Sequence, residues 1–213
     1  MKFTRYVLNY FVKKKFFPSM VEDNNNLLQD FISDCRRMES PRVLELGTMR
    51  SILDRSTRHD EWVPNASEYL GTDIAECEDV DLVADVHELS NVVGSSKFDI
   101  IISCSTFEHF KYPQLAAHEL MKVLRLNGLL FIQTHQTFPL HAYPHDYCRF
   151  SKEALEALFS PKMGFETRKT CYNFPAWIYS PRDPNTLNAQ SYLNVCLYSQ
   201  KTNETPRDYK YEL

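Results

Sequence analysis

Short apolar runs that end in a glycine or a carboxylate recur along the first half of the chain. In the first run, Arg42–Leu46, apolar residues flank Glu45 and lead into Gly47, which predicts a buried strand ending in a tight turn. A second run ends at Asp73 and a third at Asp85. Acids at the carboxyl ends of successive strands are typical of the crevice in which an open α/β sheet binds nucleotide-like ligands.

Helical patterns lie between these strands. Apolar residues from Leu27 to Met38 recur at helical spacing, and a crossover helix is predicted over residues 50–58. Pro113 stands where the first turn of a helix accepts it, ahead of an apolar stripe that predicts a core-facing helix. Ser151 is expected to cap a last, short helix.

The second half of the chain contains the most β-prone run, Phe98–Ser103, which we expect to be the central strand beside the first. The dipeptide Asn127–Gly128 predicts a turn into the next buried strand. Further strands are predicted over 129–132, 165–172 and 191–200. Residues 135–150 have no periodicity and are predicted to form a loop.

The length, net charge and cysteine content of the chain exclude some classes of protein. A chain of 213 residues can bury a sizeable core, and a formal charge of −4 argues against nucleic acid as the main partner. The six cysteines are scattered without a CxxC pair, which indicates free thiols in a reducing, cytoplasmic compartment. No apolar run approaches the roughly 20 residues of a membrane span.

Residues 1–17 differ from the rest of the chain because basic and aromatic residues alternate there. The pattern favours a helix that packs its aromatic side on the domain. The alternative is an interfacial helix that contacts a membrane surface or a partner protein. We therefore divide the chain into an N-terminal segment with a helix that packs on the domain, residues 1–40, and the domain itself, residues 41–213.

Six sequence blocks, taken in order, resemble the class I S-adenosylmethionine-dependent methyltransferases, specifically the small type-11-like domain. The blocks are Val43–Gly47, Gly71–Asp73, Ala84–Asp85, Phe98–Ser103, Phe107–His109 and Leu124–Leu130. The resemblance implies an α/β fold, a Rossmann-like three-layer sandwich with helices on both faces of a mostly parallel seven-stranded sheet. Its implied strand order is 3-2-1-4-5-7-6, with the last strand antiparallel. One departure is the first loop, where bulky residues follow Gly47 in place of the usual glycines.

The same resemblance implies S-adenosylmethionine as cofactor and S-adenosylhomocysteine as product. It assigns Asp73 to the ribose diol, because each carboxylate oxygen can accept one hydroxyl. Asp85, with the Val86 amide, matches the adenine position. Glu45 matches the acid that orders the amino-acid end, and Gly47 lets the backbone approach. The methionine part is expected to be lined by Ser103 and Cys104.

Four histidines follow predicted strands at the edge of the sheet where the transferable methyl group must lie: His109, His135, His141 and His145. A hydroxyl acceptor has to lose a proton, and imidazole suits that task near neutral pH. His109 and His145 are the candidate bases, with His109 ranked first. His59, His87 and His118 are interpreted as surface or capping histidines.

The loop Phe138–Ser151 resembles one found in a branch of small methyltransferases associated with glycan biosynthesis. We expect the loop to seat a small-molecule or glycan acceptor; the residues predicted to do so are His135, His141, Tyr143 and Asp146. The structural alternative is a loop in which Tyr147, Arg149 and Phe150 pack onto the last helix. We expect both to hold in part, with Tyr147–Phe150 structural and His141–Asp146 functional.

Glu108 and His109 raise the question of a divalent metal, since related O-methyltransferases hold one with an acidic pair and a histidine at this point. Here Ser105 stands where the upstream acid is expected, so only two ligands remain in the motif. Metal independence is therefore favoured.

The sequence predicts an S-adenosylmethionine-dependent methyltransferase that methylates a hydroxyl of a sugar or glycan intermediate. One alternative is a methyltransferase acting on a small phenol, a carboxylate or a protein side chain. Another is a scaffold that binds the nucleoside without catalysis. A nicotinamide oxidoreductase is disfavoured because GxGxxG is absent.

Overall fold

A seven-stranded sheet with the order β3-β2-β1-β4-β5-β7-β6 forms the centre of the protein. The strands are β1 Arg42–Leu46, β2 Glu68–Asp73, β3 Leu82–Val83, β4 Phe98–Cys104, β5 Leu124–His135, β6 Phe165–Trp177 and β7 Gln190–Lys201. Strands β1 to β5 pair in parallel, whereas β7 is antiparallel to both β5 and β6. The predicted Rossmann-like α/β fold and its strand order are confirmed.

The computed structural model describes residues 25–49, 56–178, 180, 182–183, 190–206 and 209–211. The predicted aromatic helix of residues 1–17 lies outside these residues, as does most of the predicted crossover helix. Residues 56–58, at the end of that predicted helix, are not helical. The division of the chain at residue 40 stays a prediction.

Four α-helices are described: α1 Leu27–Arg37, α2 Leu89–Val93, α3 Pro113–Val123 and α4 Lys152–Leu158. Pro113 occupies the first turn of α3, and Ser151 Oγ accepts a hydrogen bond from the Ala154 amide at 3.2 Å. Both helix starts are therefore confirmed. A proline has no amide hydrogen to leave unpaired at that position, and the serine oxygen satisfies one of the free amides of α4.

The helices cover the two faces of the sheet and create two apolar layers. On one face, the ring of Phe31 in α1 lies 5.0 Å from the ring of Phe131 and 5.4 Å from that of Tyr198. On the other face, α3 and α4 bury Leu120 and Leu155 in a larger cluster. Burying one such side chain stabilises the fold by about 1.5–3 kcal/mol.

The central strand β4 is buried on both faces, which explains its continuous apolar run. Ile100, Ile101 and Ile102 are all completely buried. A strand covered by helices on both sides has no polar face, so its sequence does not alternate.

Strands β3, β5 and β6 differ from their predicted bounds, and β6 continues to Trp177. Strand β3 contains only two residues, because Asp85 already accepts the His87 amide and starts a 3-10 turn. Strand β5 begins at Leu124, with Asn127 inside it at a φ of 66°. The predicted turn is thus a kink within the strand, matched by a register irregularity where β4 pairs with it.

Candidate active site

The predicted cofactor acids lie side by side where β2 and β3 end. The Ala84 amide donates a hydrogen bond to the Asp73 carbonyl at 2.9 Å, which places Asp85 next to that strand end. The Asp73 carboxylate accepts hydrogen bonds from the amides of Met49 at 3.0 Å and Ile74 at 2.7 Å. The loop after β1 is therefore fastened to the acid that ends β2.

Asp85 is half-exposed and caps the turn that follows it. One of its oxygens accepts hydrogen bonds from the amide of His87 at 2.9 Å and from its ring at 2.6 Å. Partial burial would raise the pKa of Asp85, but these hydrogen bonds outweigh it and the pKa lies below its usual value. Val86 turns its side chain into the core.

Gly47 is required for a reason that the sequence did not reveal. Its φ is 79°, and a Cβ atom at this position would lie 1.9 Å from Thr106 Oγ1. Its amide donates to the Thr72 carbonyl at 2.9 Å. The glycine thus permits close packing of the β1 loop against the segment after β4, besides any approach to a ligand.

The buried Glu45 carboxylate makes three contacts with two other residues, Tyr69 and His59. Tyr69 Oη donates to it at 2.7 Å, the His59 amide at 3.1 Å, and the His59 ring nitrogen lies 2.6 Å away. Burial and the neighbouring carboxylate raise the pKa of Tyr69. His59, which the sequence analysis treated as a surface or capping histidine, is therefore a partner of Glu45 and links residues 59–62 to β1.

Ser103 and Cys104 point to opposite faces of β4. Ser103 is completely buried, and its Oγ atom has no hydrogen-bond partner among the described residues. Cys104 packs on the α1 side of the sheet, where burial and then the charges of Glu45 and Glu108 raise the pKa of its thiol. Cys104 therefore lies close enough to Glu45 and Glu108 for their charges to affect its thiol.

The residues present fit the ribose and adenine ends of S-adenosylmethionine. Asp73 and Asp85 stand at adjacent strand ends. Each Asp73 oxygen has a second lone pair beyond the one used by a backbone amide, and Asp85 accepts both hydrogen bonds from His87 on one oxygen, which leaves its other oxygen for a ligand. Gly47, which has a positive φ, leaves no side chain just after the carboxyl end of β1. Asp73 and Asp85 are thus the residues that would hold the nucleoside.

Glu108, which is completely buried, lies at the centre of a group of histidines. Its Oε2 atom accepts a hydrogen bond from Thr134 Oγ1 at 2.6 Å. Its Oε1 atom lies 2.9 Å from His135 Nε2, 3.8 Å from His109 Nε2 and 4.0 Å from His141 Nε2. We call Glu108 and these three residues the histidine cluster.

Glu108 and His135 shift each other's pKa values. Burial opposes charge on both groups, but the close contact between them outweighs burial. The pKa of Glu108 consequently lies below its usual value, with a further contribution from Thr134. The pKa of His135 lies above its usual value.

The loop after β5 is anchored to the histidine cluster through its backbone. The amides of Tyr147 and Cys148 donate to the Glu108 carbonyl at 2.9 and 3.0 Å, and the Phe150 amide donates to the His135 carbonyl at 2.9 Å. Phe150 is buried in the core with α4, as the structural alternative for this stretch predicts.

Asp146 does not orient His145, its neighbour in sequence. Its two oxygens accept hydrogen bonds from Arg149 at 2.5 and 2.9 Å, and one also accepts the His141 amide at 3.1 Å. The Arg149 guanidinium holds the pKa of Asp146 well below its usual range. Asp146 therefore fixes the shape of the loop.

Tyr143 and His145, the other two loop residues predicted for the site, face outward. Tyr143 is 96% exposed, and the exposed His145 has its ring nitrogen 3.2 Å from Tyr147 Oη. The structure thus brings together His109, His135 and His141 but leaves the His145 ring outside that group. Sequence reasoning also missed Thr134 and Asn194, because neither stands in a recognisable motif.

Comparisons with known proteins agree with this fold. Residues 58–132 match the family model of a methyltransferase domain. No curated protein matches the chain by sequence. An S-adenosylmethionine-dependent methyltransferase from Archaeoglobus fulgidus has a similar structure, with a TM-score of 0.59, 16% identity, and coverage of 90% of this chain and 99% of that one.

Two further solved structures are similar. The 1,6-didemethyltoxoflavin-N1-methyltransferase of Burkholderia thailandensis, which holds S-adenosylhomocysteine, gives a TM-score of 0.56 at 13% identity, covering 94% of this chain and 87% of that one. An S-adenosylmethionine-dependent methyltransferase from Mesorhizobium loti gives a TM-score of 0.54 at 13% identity, covering 79% of this chain and 95% of that one.

The chain therefore has the fold of these S-adenosylmethionine-dependent methyltransferases, and residues 58–132 resemble a methyltransferase domain. In the described part of the chain, no helix is both long enough and apolar enough to cross a membrane.

Proposed function

We propose that this chain transfers the methyl group of S-adenosylmethionine to a hydroxyl of a sugar or glycan intermediate. The observation that carries the proposal is His109, an imidazole fixed at the end of the central strand. Its Nδ1–H donates to the His145 carbonyl at 2.6 Å, so its Nε2 atom carries the lone pair. That atom is positioned to accept a proton at the edge of the sheet where β1, β2 and β4 end.

The cofactor, when bound, supplies a methyl group on a sulfonium, which is already a good leaving group. The remaining tasks fall to the chain's own residues: they align the acceptor oxygen with the methyl carbon and take the hydroxyl proton. Asp73 and Asp85 would hold the nucleoside at one end of this edge. His109 would receive the proton at the other end.

The choice of a sugar acceptor is supported by the surface around the histidine cluster. Tyr143 and Tyr147 are exposed on the loop after β5, and Phe138 stacks on the His135 ring at 4.0 Å. Aromatic faces pack well against the apolar faces of sugar rings, while the histidines supply polar contacts and Asp146 holds the loop in place. Phenols would also pack there, so a small phenol is the second candidate acceptor.

The test is a screen of acceptors with methyl-labelled S-adenosylmethionine. The panel contains simple sugars, nucleotide sugars and oligosaccharides, with a catechol, a carboxylic acid and a peptide as rivals. We expect label on a sugar hydroxyl, and much slower transfer by Asp73→Ala, the cofactor-site control, when the cofactor is kept below the raised Kd of that variant. Transfer to the phenol, acid or peptide alone would refute the sugar acceptor. Binding of S-adenosylhomocysteine without any transfer would favour a scaffold.

A further inference from the structure

Three side chains from separate parts of the chain bring metal-ligating atoms together beside the proposed acceptor site. A carboxylate oxygen of Glu108 and one ring nitrogen each of His135 and His141 all lie within 4.8 Å of one another. Glu108 follows β4, His135 ends β5 and His141 lies on the loop beyond it. Only Glu108 and His109 are adjacent in the sequence, so the other ligands of this group are recognisable only in the folded chain.

Hydrogen bonds fix the tautomers of the two histidines so that the inward nitrogens carry lone pairs. His135 Nδ1 donates to Asn194 Oδ1 at 3.1 Å, and His141 Nδ1 donates to the Pro139 carbonyl at 3.1 Å. A carbonyl oxygen can only accept, so each Nδ1 holds the hydrogen and the neutral ring presents a bare Nε2. This is how metal-binding histidines are oriented by outer partners.

The Glu108 carboxylate adds a second, independent observation. It is completely buried, and its Oε1 atom has no hydrogen-bond partner in the described residues, while Oε2 is satisfied by Thr134. Oε1 lies 2.9 Å from the bare His135 Nε2. Two acceptor atoms this close repel each other unless a cation lies between or beside them. That cation is either a proton on His135 or a metal ion.

We propose that Glu108, His135 and His141 bind one divalent transition-metal ion, such as Zn²⁺ or Mn²⁺. Two imidazoles and one carboxylate suit these ions, whereas Mg²⁺ prefers an all-oxygen shell with several waters. Three protein ligands leave at least one coordination position open, as in catalytic zinc sites. His109 stands beside the ion on this arrangement and is not one of the three ligands.

The role of the ion rests on the proposed function. A cation at this point withdraws charge from an acceptor hydroxyl and makes its proton easier to remove. The hydroxyl oxygen gives its proton to His109 Nε2 and forms the new C–O bond with the methyl carbon. The electron pair of the broken S–C bond stays on sulfur, which becomes a neutral thioether. Charge and atoms balance without an oxidant or reductant.

The test of the site is metal binding by the full chain, independent of any acceptor. Protein stripped with EDTA is titrated with Zn²⁺, Mn²⁺ and Mg²⁺ by calorimetry, and bound metal is counted by elemental analysis after dialysis. We expect one Zn²⁺ or Mn²⁺ per chain and much weaker Mg²⁺ binding. Wild-type protein that retains neither Zn²⁺ nor Mn²⁺ would overturn the proposal and leave a protonated His135 paired with Glu108.

Variants identify the ligands. His135→Ala, His141→Ala and Glu108→Gln should each weaken Zn²⁺ binding by about 100-fold or more, since losing even an outer partner costs 10–100-fold. His118→Gln, a histidine on α3 outside the cluster, should bind as the wild type does. His141→Ala alters a partly exposed loop residue, so it tests the site even if Glu108→Gln fails to fold. Unchanged affinity in folded His141→Ala would refute this ligand set.

Turnover separates this proposal from the one it rests on. Bound metal with no methyl transfer to any sugar would refute the sugar acceptor and leave the metal site standing. Methyl transfer at the full rate by metal-free protein would refute the catalytic role of the ion. Loss of transfer in His109→Ala with metal content unchanged would support the division of roles between base and ligands.

Discussion

Replacing Asp73 by alanine should weaken cofactor binding by a calculable amount. In the proposed complex this carboxylate accepts both ribose hydroxyls, and hydrogen bonds to a charged group contribute about 1.5–3 kcal/mol. That range corresponds to an increase of about 10- to 150-fold in the Kd for S-adenosylhomocysteine. Calorimetry measures it directly on purified protein, with NADH as a ligand that should not bind.

The structure also dictates the control for this experiment. Asp73 accepts the amides of Met49 and Ile74, so alanine removes support for the β1 loop as well as ligand contacts. Asp73→Asn keeps one oxygen acceptor and the side-chain volume while it removes the charge. We expect its effect to fall between those of wild type and alanine. An unchanged Kd in a folded Asp73→Ala protein would refute the assignment of Asp73 to the ribose.

Three further predictions follow from the same geometry. His109→Ala should lower kcat by about 10²–10⁴-fold and leave the affinity for the cofactor unchanged. His145→Ala should mainly raise the KM for the acceptor. A near-normal kcat in both variants would exclude either histidine as the base. Gly47→Ala should destabilise the fold by about 1–3 kcal/mol in urea unfolding, because of its φ and the resulting clash, and wild-type stability would contradict this. Glu119 accepts hydrogen bonds from Lys122 and a backbone amide, and although burial opposes it, its pKa is lowered. The ionised Glu119 therefore stabilises the fold by about 1–2 kcal/mol above its unfolded pKa, and this stabilisation is lost as pH falls through the folded pKa. Glu119→Gln should consequently be less stable than wild type at pH 7 and nearly as stable in acid. An equal difference in the free energy of unfolding at both pH values would refute this.

The sheet could be predicted from the sequence because its signals are local. The apolar composition of a short run predicts a strand, as in Arg42–Leu46 and Phe98–Ser103, and a carboxylate such as Asp73 marks where a strand ends. Parallel pairing then places these strand ends at one edge of the sheet. The lengths of β3 and β5 could not be predicted. They depend on a cap at Asp85 and a left-handed Asn127, neither of which interrupts the apolar pattern of the sequence.

The site was predictable only in part, since its chemistry depends on contacts between distant residues. Glu45 and His59 are separated by a segment with no pattern linking them, and their pairing emerges only when residues 59–62 fold onto β1. Likewise His141 approaches Glu108 because backbone hydrogen bonds carry the loop back across the end of β4. The sequence likewise does not indicate that Asp146, predicted to seat the acceptor, is held by Arg149.

The anchoring of the loop after β5 has a consequence for how this protein can change. Its fixed points, the carbonyls of Glu108 and His135, belong to the histidine cluster, whereas its tip at Leu140 and Tyr143 is almost fully exposed. Substitutions at the tip leave the anchors intact, and substitutions at the anchors disturb both the loop and the cluster. Under the proposed function, variation at the tip would change the contacts with the acceptor while the histidine cluster stays in place, which makes the tip the position for libraries that seek new acceptors.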